Sequence, residues 1–216
     1  MEHKKYDIIC FGTPIVEVMR KDLEKPLYLP SEFTGPYPSG DTAIMIDSAA
    51  RMGAKTAFFG VVGDDDFGKC VIERLRNDGV DISGIRKVSS DTTGVAFVAY
   101  FKDGSRKFVF TVPNSAARLL CEEDINPDIL NNTKWLHISG FPLCISQSIR
   151  DTIKKVLGMI GPDVKVSFDP NLRIEVMKDS EIKELCDEIM ERCDLFLPSE
   201  GEAAYFADKK TDEEGC

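Results

Sequence analysis

Short apolar runs alternate along the chain with segments whose apolar residues recur every three or four positions. YDIICFG (6–12) reads as a buried strand that stops at Gly12. DTAIMIDSAARMG (41–53) reads as a helix with a glycine stop, and its alanines permit close packing. KTAFFGVVG (55–63) predicts a strand, and FGKCVIERLRNDG (67–79) a helix with Val71, Ile72 and Leu75 on one side. KWLHISG (134–140), DVKVSFD (163–169) and DLFLP (194–198) predict further strands. Between them, ISQSIRDTIKKVLGMIG (145–161) sets Ile149, Ile153, Val156 and Ile160 at helical spacing. SEIKELCDEIMERC (180–193) does the same with Ile182, Leu185 and Ile189. Ser180 is the expected cap of that helix, with Glu181 at the positive end of its dipole.

Strands that alternate with helices and are apolar on both faces imply an α/β class with a mainly parallel sheet covered on each side. Two stretches break the rhythm. TGVAFVAYFKDGSRKFVFTVP (93–113) is two β runs joined at Asp103-Gly104, residues that tolerate positive φ in a tight turn. The proline-rich, non-helical stretch 18–38 can supply more strand. Together they suggest a small second sheet that covers a site or pairs with a partner chain.

Composition narrows the function. The chain has 216 residues, 43% hydrophobic and 30% charged, an ordinary globular balance. No apolar run approaches the roughly 20 residues needed to span a bilayer, so no membrane partner is expected. Lys4 and Lys5 precede a short apolar run, but Asp7 interrupts it and no small-residue cleavage site follows, so a cytoplasmic protein is expected. A formal charge of −10 argues against nucleic acid as a partner. Seven cysteines, an odd number with no C-x-x-C pair, suggest neither a disulfide framework nor a zinc site, and reduced, mostly buried thiols are expected. His3 and His137 are too far apart for a metal cluster, and His137 reads as a core residue.

In an open parallel sheet, ligands sit beyond the carboxyl ends of the strands. The segments there are FGTPIVE (11–17), GDDDFG (63–68), SGFPL (139–143), DPNLR (169–173) and PSEGE (198–202). Each is polar or glycine-containing where a strand stops. One such segment is an ordinary turn. Five at corresponding positions favour a site for a small polar ligand.

GVVGDDDFGK (60–69), GVDISGI (79–85), TTGVAFVAYFKDGSRKFVF (92–110), VSFDPNLR (166–173) and DLFLPSEGEA (194–203) follow one another in the order and spacing of the phosphofructokinase B family, the ribokinase-like carbohydrate kinases, which this chain resembles from residue 6 to about 206. The resemblance implies a doubly wound mainly parallel sheet with a small β-sheet lid, one ribokinase-like domain over 1–216 with lid insertions at about 13–38 and 91–113. It implies transfer of the γ-phosphoryl group of ATP, with Mg²⁺, to a hydroxyl of a small sugar or sugar acid, and a homodimer through the lid strands.

Carried over residue by residue, the resemblance places Glu17, Gly40, Asp41, Asp169 and Asn171 at the substrate, Arg173 at the phosphate as the catalytic cation, and Glu202 beside Mg²⁺ and phosphate. A carboxylate at Glu17 accepts two hydrogen bonds from vicinal hydroxyls, or is a charge at the lid hinge. Gly60, Gly63, Asp64 and Gly68 read as turn residues. The sequence departs from the family pattern at Ser39, Ile44, Val112 and Ser199. It also lacks the glycine-rich Gly-Ala-Gly-Asp run whose Asp is the family's general base. The resemblance therefore leads us to expect the base and most of the nucleotide pocket beyond these residues, and little activity from these residues alone. The alternative is a non-catalytic sugar-binding or dimerisation module. A dinucleotide-binding dehydrogenase is disfavoured, because FGTPIVE lacks the three-glycine fingerprint.

Overall fold

The computed structural model describes residues 4–172 and 179–215. Its centre is a six-stranded sheet in the order β10-β9-β8-β1-β4-β5, with every pairing parallel. These strands are β1 (Tyr6–Gly12), β4 (Thr56–Gly63), β5 (Asp81–Val88), β8 (Thr133–Ser139), β9 (Lys165–Asp169) and β10 (Leu195–Phe196). The chain builds outward from β1 to β4 and β5, then returns to add β8, β9 and β10 on the other side. The order therefore reverses between β1 and β8.

Helices cover both faces because the central strands β1 and β4 are apolar on both. Cys10 and Phe58 face one way, onto Ala43 and Ile46 of α1 (Asp41–Arg51) and Val71 and Leu75 of α2 (Asp66–Asn77). Ile9, Phe11, Phe59 and Val61 face the other way, onto Ile149, Ile153 and Val156 of α4 (Gln147–Met159), in a core that also takes in Ile182, Leu185 and Ile189 of α5 (Ser180–Arg192). The short helices α3 (Pro127–Asn131), α6 (Glu202–Phe206) and α7 (Asp212–Gly215) lie at the margins.

A separate four-stranded mixed sheet has the order β3-β2-β6-β7. It is built from β2 (Ile15–Arg20), β3 (Phe33–Ser39), β6 (Gly94–Tyr100) and β7 (Arg106–Phe110). Val16, Val18, Val95 and Phe97 pack on the α1–α2 layer, which anchors one face of this sheet. Buried Arg20 donates to the carbonyls of Pro26, Leu29 and Pro30, so one cation organises the proline-rich excursion between β2 and β3.

Several local expectations are corrected. Strands β8 and β9 are not apolar on both faces. Leu136, Ile138, Val166 and Phe168 enter the core. The alternate positions Trp135, His137 and Ser139 pair in register with Lys165, Ser167 and Asp169. The cap of α5 is Asp179, which accepts from the Glu181 N–H at 3.0 Å, and not Ser180. The 93–113 hairpin turns through Phe101–Ser105. Of the Asp103-Gly104 pair only Gly104 has positive φ, at 83°, and Asp103 instead accepts from the Ser105 N–H. Strand β5 escaped the apolar pattern because, at the sheet's edge, it is half-buried. Only Cys10 and Cys186 are buried; the other described cysteines are half-buried, and all are free.

Within GDDDFG the structural residue is Asp65. It caps α2 by accepting from Gly68 N–H at 2.8 Å, and it accepts from both the N–H and the hydroxyl of Thr93 at 2.8 Å. It therefore ties the end of β4 to the start of β6. Asp65→Ala should lower unfolding free energy by about 2–3 kcal/mol, read as a shift in urea midpoint, because a helix cap and a part-buried acceptor are lost together. An unchanged midpoint would show that the link carries no stability.

Candidate functional site

The crevice at a reversal of strand order is where an open α/β sheet offers space to a ligand. Here the reversal lies between β1 and β8. The chain reaches it by leaving the small sheet at Ser39 and entering α1 at once. Gly40 makes that entry at φ 105°, and a Cβ there would clash with the Thr13 carbonyl, so glycine is required.

Asp41, the first residue of α1, holds three segments together. Its Oδ1 accepts from the Thr42 N–H at 2.7 Å. Its Oδ2 accepts from the Ser139 hydroxyl at the end of β8 and from Asn171 Nδ2, at 3.2 Å, in the turn after β9. A carboxylate is favoured at this helix N-terminus by the free N–H groups and the dipole.

The turn after β9 is fixed from two sides. The Gly140 N–H donates to the Asp169 carbonyl at 2.8 Å. The Leu172 N–H donates to Glu202 Oε1 at 2.8 Å, while Ser199 N–H donates to Glu202 Oε2 at 2.7 Å. Glu202 is only 5% exposed, so its carboxylate braces the 169–172 and 199–202 turns against one another. Asp169 stands opposite Ser139 in the register. Burial, then the nearby charges of Glu202 and Asp41, push its carboxyl up to about 6, and its Oδ1 is buried without a partner among the described residues.

Glu17 lies in the small sheet, where it accepts from Ser39 Oγ at 3.4 Å and from the Tyr100 hydroxyl at 3.3 Å. The register runs Tyr37–Glu17–Ala96–Phe110, so these residues share the sheet face opposite the packed valines. Phe110 lies 6.0 Å from the ring of Phe141, just beyond β8. That contact brings the small sheet to the edge of the Asp41 cluster.

Of the expected site residues, the structure thus brings together Gly40, Asp41, Asp169, Asn171 and Glu202, and sets Glu17 in the small sheet. Arg173 lies outside the described residues. Ser139 escaped notice as an individual residue, although its signal was present: a hydroxyl as the last side chain of a strand. His137, two residues earlier, is buried against Ser167 Oγ at 3.0 Å, and burial lowers its pKa to about 4 despite the charge of Asp41. It belongs to the core. Among the described residues no three His, Cys, Asp or Glu side chains are grouped to hold a metal ion.

The two shifted groups pull stability in opposite directions. Between the unfolded carboxyl value near 4 and the folded value of about 6, the native chain holds the Asp169 proton longer, so stability falls as pH rises. Below about 6.5 unfolded His137 takes up a proton that the folded side chain refuses until about 4, so stability falls as pH drops. Asp169→Asn should therefore be more stable than wild type by about 1 kcal/mol near neutral pH, after allowance for solvent screening. It should be indistinguishable near pH ~2.5, where Asp169 is protonated in both states. Urea titrations at both pH values test this, and equal midpoints at neutral pH would refute it.

Comparison with known proteins agrees with this architecture. The pattern of the pfkB family carbohydrate kinases matches residues 6–216. "Probable fructokinase-7" of Arabidopsis thaliana is 31% identical over 211 residues, covering 92% of this chain and 58% of its own length. The fructokinase of Vibrio alginolyticus is 31% identical over 179 residues, covering 82% and 58%. An E. coli protein provisionally named ribokinase II, solved with ATP and Mg²⁺, superposes with a TM-score of 0.90 at 34% identity, covering 97% of this chain and 67% of that one. The chain spans under two thirds of the length of these fructokinases. Its sequence match and its doubly wound sheet with a separate small mixed sheet show that it belongs to the pfkB family of carbohydrate kinases.

Proposed function

We propose that these residues form the acceptor half of an ATP-dependent sugar kinase. The observation that carries this reading is the Asp41–Ser139–Asn171 cluster at the strand-order reversal, bordered by a small sheet that bears Glu17. In this reading Asp41 and Glu17 accept hydrogen bonds from hydroxyls of a small sugar or sugar acid, and Asn171 donates one. Gly40 and Asp169 shape the floor. The acceptor oxygen attacks the γ-phosphorus, a new O–P bond forms as the bond to the β–γ bridging oxygen breaks, and ADP leaves.

The hydroxyl proton passes to a general base that the reading assigns to residues outside this sequence, in keeping with the greater length of the relatives. Arg173 is assigned to the negative charge of the transferring phosphate. Mg²⁺ is assigned to the nucleotide's phosphates, and no step is assigned to a protein-held metal. Glu202 acts through the turns it braces. The small sheet serves as a lid that excludes water.

Two further parts of the reading concern setting and assembly. Free cysteines throughout the described residues support a cytoplasmic protein. No described helix is long and apolar enough to cross a membrane. The edge strands β3 and β7, with Val109 exposed, support a homodimer through the lid. Elution that stays monomeric at every concentration would count against that dimer.

The activity test is ADP release by the full-length protein with D-fructose, D-ribose and a 2-keto-3-deoxy sugar acid. Sugar-dependent release is expected with at least one. Asp41→Asn should lower kcat/KM by about 10–100-fold through loss of charge-assisted hydrogen bonds. Absence of sugar-dependent release from the full-length protein would overturn the reading.

A further inference from the structure

We infer that Tyr100 is a positioning residue for Glu17: its hydroxyl, steadied by Arg106, holds the Glu17 carboxylate in place on the small sheet before the acceptor arrives. The inference rests on the kinase reading above and deepens it.

The two-residue period of the strands brings these side chains together. Glu17 of β2 stands opposite Ala96 of β6, and Tyr100 lies four positions beyond Ala96, on the same face. The Tyr100 hydroxyl donates to Glu17 Oε1 at 3.3 Å, and the Ser39 hydroxyl donates to Oε2 at 3.4 Å. Each carboxylate oxygen therefore has one neutral donor. Both contacts are longer than the usual O–H···O separation of roughly 2.8 Å, so they orient the group without saturating it. A carboxylate offers about four acceptor positions, which leaves about two for a ligand.

Tyr100 is itself held. Arg106 stands opposite it in the β6–β7 register and interacts with the same phenol. The Arg106 guanidinium also lies over the Phe108 ring, 5.8 Å from its centroid, which keeps it on this face. Burial, then the charge of Glu17, raise the Tyr100 pKa against the smaller opposing pull of Arg106. The phenol therefore keeps its proton at neutral pH and donates it to Glu17, while its oxygen stays open to the Arg106 N–H groups. A glutamate side chain left alone samples many rotamers, and a ligand that needed one of them would bear the ordering cost. Here folding bears it, so Tyr100 contributes to binding without touching the sugar.

The test measures kcat and KM for ADP release by the full-length protein with whichever of D-fructose, D-ribose and a 2-keto-3-deoxy sugar acid supports it. Tyr100→Phe should raise KM by about five- to tenfold and lower kcat by less than about twofold. Arg106→Gln should raise KM by about two- to threefold. In the Glu17→Ala background, where KM is already raised, adding Tyr100→Phe should change KM by less than about twofold, because the group it positions is gone. A packing role, or a direct contact of Tyr100 with the sugar, would instead raise KM by the same factor in both backgrounds. That result, or an unchanged KM in Tyr100→Phe or Arg106→Gln alone, would overturn this inference while leaving the kinase reading intact. No sugar-dependent release with any of the three would overturn both.

Discussion

The carboxylate of Asp41 is the junction on which the rest of the site depends. It accepts hydrogen bonds from its own helix, from the end of β8 and from the turn after β9, the last two lying 98 and 130 residues further along the chain. None of these contacts is local except the one to Thr42. The junction exists because the strand order reverses between β1 and β8, leaving room there for a helix N-terminus to meet strand ends added later. Gly40 is the backbone condition for it, since only a residue without Cβ passes the Thr13 carbonyl at positive φ.

Around this junction, negative charge is managed in three different ways. Asp41 is surrounded by donors. Glu202 is buried, and both its oxygens accept backbone N–H groups, so its charge is spent on holding two turns. Asp169 has less compensation: the Asn171 N–H pulls its pKa down, but burial and the charges of Glu202 and Asp41 outweigh that, and its carboxyl moves up to about 6. A carboxyl in so unfavourable a place is tolerated when the surrounding structure is strong enough to impose it. Here the imposing elements are the β8–β9 register and the Gly140–Asp169 backbone bond.

The small sheet shows how one strand can serve two purposes. Alternate residues of β2 and β6 anchor it on the α1–α2 layer through Val16, Val18, Val95 and Phe97, which leaves the opposite alternation, Glu17 and Ala96 with Tyr37 and Phe110, as a distinct face. That division follows from the two-residue period of a strand. The Phe110–Phe141 contact then sets this face beside the strand ends.

The sequence by itself determined the layered α/β plan, because apolar runs and helical periods are local signals of burial on two faces or one. It also marked SGFPL, DPNLR and PSEGE as polar strand ends, and its ordered motifs pointed to the family. It held further signals that were legible but unread: the alternation in KWLHIS and KVSFD, and Asp65 three residues before Gly68 as a helix cap. Only the tertiary structure decided that Asp41 binds Ser139 and Asn171, that Glu202 braces backbone instead of standing open, and that Glu17 shares a face of the small sheet with Phe110. Those facts depend on which strands become neighbours and in what register. Pairings between residues so far apart in the chain leave no periodic trace in it, and a slip of one position would turn each of those side chains to the other face.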